Sequence, residues 1–501
     1  TTASNNTAVG YNSLNDNTTG AYNIAVGALA LDANTTADNN VAVGYASLGA
    51  NTTGGANTAV GTYALDANTT GAFNVAVGYD ALTAATTGAS NTAVGGTAGD
   101  ALTTGSYNTF LGREAGTATT TADSNTAVGE SSFVANTTGA ANTAVGGNSL
   151  AANTTASYNV AVGKNAMYAN TTGTENVAVG AYALDAVTTG SYSVAIGYNA
   201  LTAQTTAGYN VGIGRSAGAA VTTGTNEVFI GYHTGLATTT GSHNTAIGVE
   251  AFDANTTGAS NVALGNSALG ANTTASYNTA GGTNALTANT TGSSNTATGY
   301  AALSALTTGT HNTSFGDSSG ATVTTGNYNT YVGKDCRASA TDVNYETCVG
   351  YNQVGQGDGK LTYGKSGSWT TLTAGSTTVA SSSDRRIKEN IQDSTAGLSF
   401  INDLQPKIFE FRKKKDVDPV LTEDYEEGSE ERVKGRIGLQ HGFIAQEVKE
   451  AIDKHSEIKE GFDGWEENPS GVQAVGESAF IPMLVKAIQE LSAKVEVLEK
   501  Q

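Results

Sequence analysis

The pentapeptide Asn57-Thr58-Ala59-Val60-Gly61 is one copy of a motif that returns every 17 residues, from Asn6 to Glu346, giving 21 copies without an insertion. Its fifth position is Gly in every copy, and a full repeat reads roughly N-T-A-V-G-Y-x-A-L-x-A-N-T-T-G-x-x. Strict register over this length predicts a solenoid in which each copy stacks on the last, because an insertion would shift the core of every later rung.

The repeat also predicts which side chains face inward, when positions are numbered from the Asn of the motif. Position 4 is almost always Val, Ile, Leu or Phe, with Gly281 and Thr298 as exceptions. Alternation along a strand then predicts that position 4 faces the core and that the Ala at position 3 faces outward, toward a neighbouring chain. Ala and Leu at positions 8 and 9 predict a second inward edge. The Gly predicts a corner with positive φ or a close backbone approach.

Composition divides the 501 residues into two parts. The formal net charge of −20 splits into −12 for residues 1–383 and −8 for residues 384–501, and all four prolines lie in the second part. Absence of proline suits a ladder of strands, which need their N–H groups. The acidic balance argues against a nucleic-acid partner, and no apolar run is long enough for membrane insertion. We predict no metal or cofactor. Because Thr1-Thr2 fills positions 13 and 14, we expect the chain to be cut from a longer fibre.

Several repeated side chains are candidates for surface binding. Tyr recurs at positions 6 and 17, where rows of rings either seal grooves between chains or stack on sugars of a host receptor. Thr pairs at positions 13 and 14 predict one outward hydroxyl per pair, which favours surface hydroxyl ladders over an ice-binding face. Acidic residues at position 10 form an open row without the carboxylate pair of a glycosidase; they are Asp32, Asp66, Asp185 and Asp253. The two cysteines, Cys336 and Cys348, are either buried free thiols or a disulfide.

The motif resembles the head repeats of trimeric autotransporter adhesins, with Ser193-Val194-Ala195-Ile196-Gly197 as the best match. That resemblance implies a trimeric parallel β-roll, although the period here is longer. A rung spacing near 4.8 Å predicts a rod on the order of 100 Å long for residues 1–350. Residues 351–382 lose the register and predict a short β cap, with Trp369 in a small core.

The block Ser383-Asp384-Arg385-Arg386-Ile387-Lys388-Glu389-Asn390-Ile391 follows the cap. A serine and a lysine can cleave an amide bond as a dyad when burial keeps the lysine neutral. Taken alone, Ser383 and Lys388 are very weak evidence for a dyad, because many protein surfaces contain this spacing by chance, and a solvated helix start is the better explanation.

Residues 383–501 resemble the peptidase S74 family, the intramolecular chaperone domains of phage tail fibres, tail spikes and endosialidases. Three stretches carry the resemblance, namely residues 383–391, L-Q-P-K-I-F-E-F at 404–411 and G-F-I-A-Q-E-V at 442–448. The family implies a small α+β domain that trimerises, guides folding of the fibre and then cuts itself off. It implies cleavage between Ser383 and Asp384, with Ser383 as nucleophile and Lys388 as base.

Residues within and immediately before the third stretch are candidates for a supporting role. His441, Gln446 and Glu447 either orient the site and donate to an oxyanion or form structural hydrogen bonds. An acidic insertion at about 416–434 departs from the compact family pattern and predicts a solvated loop without calcium-loop spacing.

The last segment, 481–499, predicts a coiled coil. Apolar residues alternate at spacings of three and four, with Ile481, Ile488 and Val495 at a and Leu484, Leu491 and Leu498 at d. β-branched a residues with Leu at d favour dimers, whereas the resemblance implies a trimer.

Together these features predict a mainly β protein: a phage tail fibre or spike with a trimeric parallel β-solenoid shaft that attaches to a host surface. Its expected partners are two further copies, a host-cell glycan or protein receptor, and the phage tail or baseplate through a missing N-terminal part. We expect single-turnover autoproteolysis and no hydrolysis of external substrates. The alternative is a bacterial trimeric surface adhesin.

Overall fold

The computed structural model describes residues 2–366, 368–373, 379–381, 385, 390–419, 425–433, 438–459, 462, 464–467 and 472–500, without the side chains of 368, 369 and 379–381. It divides into two units, Thr1–Ser382 and Ser383–Gln501. Each unit is described by itself.

The first unit is a parallel β-solenoid with one short strand in each of 21 rungs, which confirms the predicted fold class. Each strand pairs in parallel with the next at an offset of 17 residues, as in the pairing of Thr58 with Val75. The strands β1 to β21 are, in order, Thr7–Val9, Ile24–Val26, Val41–Val43, Thr58–Val60, Val75–Val77, Thr92–Val94, Thr109–Leu111, Thr126–Val128, Thr143–Val145, Val160–Val162, Val177–Val179, Val194–Ile196, Val211–Ile213, Val228–Ile230, Thr245–Ile247, Val262–Leu264, Thr279–Gly281, Thr296–Thr298, Thr313–Phe315, Thr330–Val332 and Thr347–Tyr351.

The predicted facing of positions 3 and 4 was wrong. Position 3 is buried, with Ala59 and Ala76 fully inaccessible, whereas position 4 lies on the outer face, with Val60 36% exposed. The Leu at position 9 is also fully buried, as predicted for positions 8 and 9. The narrow coil has room for only a methyl group opposite that Leu, so the larger position-4 side chain points outward.

Close backbone approach explains the invariant Gly, as predicted. Gly61 has φ of +142°. A Cβ atom built on it would lie 2.2 Å from the carbonyl oxygen of Gly78, far inside van der Waals contact. Any side chain at this corner would therefore break the stacking of adjacent rungs.

Polar ladders run along the solenoid and satisfy its buried backbone. The buried Asn57 accepts from the backbone N–H of Asn74 through Oδ1 at 2.8 Å, and its Nδ2 donates to the carbonyl of Gly71 at 2.8 Å. At position 13 the hydroxyl of Thr52 donates to the carbonyl of Thr69 at 2.9 Å, while position 14 is exposed. This arrangement matches the predicted hydroxyl ladder with one outward Thr per pair.

Large core side chains are matched by glycines in neighbouring rungs. Phe110 replaces Ala at position 3, and Gly99 and Gly116 replace Leu at position 9 of its own rung and the preceding one. A Cβ on either Gly would lie within 2.6 Å of the Phe110 ring. Phe229 repeats the arrangement with Gly218 and Gly235. Core volume is thus conserved although individual residues change.

The last rung is closed by Glu346, which stands where most rungs have Asn. Its fully buried carboxylate accepts hydrogen bonds from the backbone N–H groups of Gly357 and Ser339, at 2.9 and 3.1 Å, and from the hydroxyl of Tyr331 at 3.3 Å. The strand β22 (Lys360–Lys365) then pairs in parallel with β21, and β23 (Ser368–Thr373) and β24 (Val379–Ser381) follow antiparallel. The side chain of Trp369, predicted in a small core, lies outside what the structure describes.

The second unit is a small α+β domain. Its elements are α1 (Leu398–Asp403), β25 (Lys407–Phe409), β26 (Gln440–Gly442), α2 (Ala445–Lys454), β27 (Trp465–Glu467), β28 (Gln473–Val475) and α3 (Ile481–Glu499). β25 pairs antiparallel with β26, and β27 with β28. Phe400, Val448, Ile452 and Phe480 are among its buried core residues.

Helix α3 packs against its own domain without using the predicted heptad positions. Ala487 is buried, and the carboxylate of Glu490 accepts from the backbone N–H of Leu398 at 2.9 Å, which caps α1. The a and d side chains are exposed by 43% to 69%, and they are Ile481, Leu484, Ile488, Leu491, Val495 and Leu498. The helix therefore has one face docked in the domain and an apolar face that the described part of this chain leaves uncovered.

Candidate functional site

The predicted nucleophile Ser383, its bond to Asp384 and the predicted base Lys388 lie outside the described residues. Their roles stay predictions. The described part of the second unit nevertheless places the three supporting candidates: His441 lies on β26, and Gln446 and Glu447 lie in the first turn of α2.

A groove opens beside the pair of strands β25 and β26. His441 lies opposite Ile408 in the antiparallel register, and both side chains are exposed. The groove encloses about 480 Å³. Its lining residues are Pro406, Lys407, Ile408, His441, Gly442, Phe443 and Glu477. A histidine in such a groove can donate a hydrogen bond to a bound peptide segment or accept one from it.

An ion pair joins two of the stretches that suggested the family. The Nζ atom of Lys407 on β25 lies 3.1 Å from Oε2 of Glu447 in the first turn of α2. A carboxylate in the first turn is also stabilised by the positive end of the helix dipole. Glu447 thus has a structural partner, and Gln446 is exposed and does not line the groove. Lys407 was not among the predicted site residues, although it lies within the second quoted stretch.

A buried histidine, His455, was missed by sequence reasoning. Its ring nitrogens contact Oδ2 of Asp403 at 2.8 Å and Oε1 of Glu457 at 3.1 Å, and Phe400 packs edge-on against the ring. Burial alone would lower its pKa, but the hydrogen bonds with Asp403 and Glu457 outweigh burial and raise the pKa above its ordinary value. Asp403 and His455 are far apart in sequence, so no local motif announces the pair.

The acidic insertion folds back on a run of lysines. Lys414 forms ion pairs with Glu426 and Glu431, while Lys413 and Lys415 both contact Glu430. These pairs are mostly exposed, and exposed pairs contribute little stability individually. Where it is described, the insertion is exposed to solvent, as predicted. Its glutamates are held by ion pairs with Lys413, Lys414 and Lys415.

The candidate binding rows of the shaft are exposed, and some of their rings stack on each other. Tyr328 at position 17 stacks on His311 and Tyr345, with centroids 4.8 and 5.0 Å apart. In these stacks ring faces contact one another, which leaves edges for any ligand. A shallow site of about 470 Å³ lies beside Tyr158, Glu175 and Val177. Receptor binding by these rows stays a prediction.

Both cysteines are fully buried and free. The thiol of Cys336 lies 3.0 Å from the carbonyl oxygen of Gly350. A hydrogen bond with Cys336, together with burial, raises the pKa of Cys348. The same hydrogen bond lowers the pKa of Cys336, against the effect of its burial, so only the Cys348 thiol is held more firmly in its protonated form.

Comparison with known proteins identifies a family for part of the C-terminal unit. Residues 383–457 match the peptidase S74 family model, described as chaperone of endosialidase. The family predicted from the three stretches is thereby confirmed for this segment. No curated protein and no solved structure matches the chain.

Two other features are absent from the described residues. None of the helices they form is long and apolar enough to cross a membrane. The same residues contain no group of three or more His, Cys, Asp and Glu side chains arranged to hold a metal ion.

The chain thus joins a β-solenoid shaft to a chaperone-of-endosialidase segment, an organisation that suggests a protein of the tail-spike or tail-fibre kind. That family carries autoproteolytic potential.

Proposed function

We propose that the protein is a phage tail fibre or spike whose solenoid attaches to a host surface. Its C-terminal domain assembles three copies and then removes itself by cleaving the bond between Ser383 and Asp384. The observation that carries the proposal is the chaperone-of-endosialidase match, which begins at residue 383, the first residue of the second unit and the one that follows the solenoid and its cap.

The assembly step is supported by α3. Its a and d side chains are exposed although a neighbouring face of the helix is docked through Ala487 and Glu490. A row of six apolar residues at heptad spacing is the pattern by which parallel helices associate. Joining three chains at one end raises their effective concentration for each other and favours parallel alignment of the shafts.

The cleavage step assigns roles to Ser383 and Lys388. A neutral Lys388 takes the proton of the Ser383 hydroxyl as the oxygen attacks the carbonyl carbon of the Ser383–Asp384 bond, and an ester forms there as the C–N bond breaks. The proton is then returned to the amino group of Asp384, which leaves as the new N-terminus, and water releases the new carboxyl end. We propose that the groove lined by His441 holds the peptide segment during this step.

Removal of the assembly domain has a kinetic consequence. A shaft of parallel rungs folds slowly because its pairings between copies are non-local. Once the domain that aligned the copies is gone, unfolded chains lose the means to reassemble, so the fibre persists by slow unfolding.

The test is the intact mass of the purified chain beside Ser383→Ala and Lys388→Ala. We expect the wild type to split into products ending at Ser383 and beginning at Asp384, and both variants to stay whole. Ser382→Ala is the matched control and should still cleave. Lys388→Arg keeps the charge but cannot become neutral, so it should stay whole.

A wild-type chain that assembles yet remains whole contradicts the cleavage step. The domain would then be a permanent cap, and the bacterial adhesin would become the better interpretation.

A further inference from the structure

The position-4 side chains form an apolar row along the outside of the solenoid, which we call the outer row. It contains one residue per rung, all of them aliphatic or aromatic except Gly281 and Thr298. Ten members expose between 36% and 62% of their surface, namely Val9, Val60, Leu111, Val179, Ile196, Ile247, Leu264, Phe315, Val332 and Val349.

The size of the outer row is that of a stable protein interface. The nineteen aliphatic and aromatic members present on the order of 1,000 Å² of apolar surface, compared with about 800 Å² per partner in a standard complex. Soluble monomers rarely expose a continuous apolar patch of that size.

The spacing of the outer row identifies its partner. Its side chains recur at each rung, about 4.8 Å apart, over the whole shaft. A partner that covers every rung must itself repeat at that step, and a second copy of this chain lying parallel does so. The exposed heptad face of α3 independently favours parallel association of copies, as proposed above.

One place in the outer row breaks its uniformity. Phe315 is its most exposed member, at 62%, and it exceeds even Val9 in the first rung, at 58%. The two preceding rungs carry Thr298 and Gly281, the smallest residues of the row. A Cβ built on Gly281 would meet only the Thr298 side chain, at 3.8 Å, so the notch beside Phe315 is open.

We infer that copies of the chain associate in parallel through the outer row, and that Phe315 packing into the notch at Gly281 and Thr298 sets their register. The inference rests on the assembly proposed above and names its surface. In a symmetric bundle the Phe315 rings meet in one layer, where they need more volume than three valines do, and the neighbouring small residues supply it. A slip of one rung would move the Phe315 rings of neighbouring copies into different layers and place one of them against Val332.

Disulfide formation between copies tests both which surface they share and in which register they pair. A disulfide requires Cβ atoms about 3.5 to 4.5 Å apart, and a one-rung slip moves them by about 4.8 Å. Val179→Cys in the full-length chain, kept whole by Ser383→Ala and oxidised with diamide, should give disulfide-linked pairs of chains on a non-reducing gel. Thr189→Cys lies at exposed position 14 of the same rung and should give none. The wild-type chain controls for Cys336 and Cys348, which are buried.

The register is tested in the Val179→Cys background. Phe315→Thr should lower the disulfide yield by about threefold or more at unchanged sedimentation, because registers become mixed. Ile247→Thr removes similar apolar surface away from the notch and should leave the yield near that of the parent. Gly281→Val, which fills the notch, should act like Phe315→Thr.

Sedimentation separates failure of this inference from failure of the proposed assembly. Chains that sediment as an oligomer but give no Val179→Cys disulfide show that copies meet only through α3, which overturns the inference alone. Chains that sediment as monomers contradict the assembly itself. Equal yields for Phe315→Thr and Ile247→Thr would retain the surface but reject the register role of Phe315.

Discussion

Gln204 donates a hydrogen bond from Nε2 to the hydroxyl of Ser193, 3.0 Å away, so that a longer amide at position 12 reaches a shorter side chain at position 1 of the same rung. The same amide donates to the carbonyl of Ala207 at 2.9 Å, and its Oε1 accepts from Asn210 at 3.0 Å. In other rungs, Asn at both positions maintains these ladders, as Asn57 and Asn68 do. The two substitutions therefore compensate each other.

We predict that Ser193→Asn and Gln204→Asn each destabilise this rung and that the double variant restores it. Ser193→Asn overfills the buried site, at a cost of about 1 to 3 kcal/mol. Gln204→Asn leaves Ser193 and Asn210 without their partner, at a similar cost. Amide hydrogen exchange across residues 193–210 measures the local free energy of opening, and additive costs in the double variant would contradict the compensation.

The buried Glu227 should make the middle of the shaft less stable as pH rises. It replaces Asn at position 1, and burial raises its pKa to about 8 from an unfolded value of 4.5. The unfolded chain loses this proton near pH 4.5 and the folded chain only near pH 8. Stability therefore falls between these pH values, by up to about 1.4 kcal/mol per pH unit, and levels off above them.

Glu227→Gln should remove this pH dependence and strengthen exchange protection near residue 227 at pH 7. Glu175→Gln changes an exposed acid at position 17 of another rung and should behave like the wild type. A wild-type profile that is flat from pH 4.5 to 8 would show that Glu227 is ionised in the folded shaft.

Core volume around Phe110 gives a rescue prediction. Phe110→Ala should cost about 3 to 5 kcal/mol through the cavity that it leaves. Restoring Leu at positions 99 and 116 in the same chain should recover most of that loss, because ordinary rungs place Leu beside Ala. Leu31 and Leu48 tolerate the same positive φ, so the backbone does not forbid the change.

The matching disruption is Gly116→Leu alone, which drives a side chain into the Phe110 ring. Thermal unfolding of the single and combined variants tests this set. A triple variant no more stable than Phe110→Ala would mean that the glycines serve some purpose other than making room for the ring.

His455 should make the C-terminal unit more stable at acidic pH. Its folded pKa is raised above the unfolded value near 6.5, so its contribution is complete below that pH and is lost as pH rises through the folded pKa. His455→Gln should abolish this trend in the exchange protection of residues 445–458. His441→Gln, on the exposed groove, should retain it.

The fold class followed from the sequence because register over 21 repeats has few physical explanations, and the Gly corner followed from its invariance. The facing of positions 3 and 4 did not, because alternation says that neighbours face opposite ways without saying which way is inward. The inward-facing position could nevertheless be inferred from paired substitutions. Phe110 at position 3 occurs with Gly99 and Gly116 at position 9, so position 3 must share the core with position 9.

The candidate site followed only in part. The three stretches identified the family, but contacts such as Lys407 with Glu447 and His455 with Asp403 join residues distant in the chain. Such contacts depend on how the strands and helices of the second unit pack, and local spacing carries no record of them.

The closure of the last rung by Glu346 separates the length of the shaft from its termination. Most internal rungs connect to the next through an Asn side chain at position 1, whereas the Glu346 carboxylate accepts from the backbone N–H of Gly357 in the following loop. Whole copies of 17 residues can therefore be gained or lost among the inner rungs, and each changes the reach of the shaft by about 4.8 Å without altering how it ends. The length of the shaft therefore changes in steps of one rung and is set by the number of repeats.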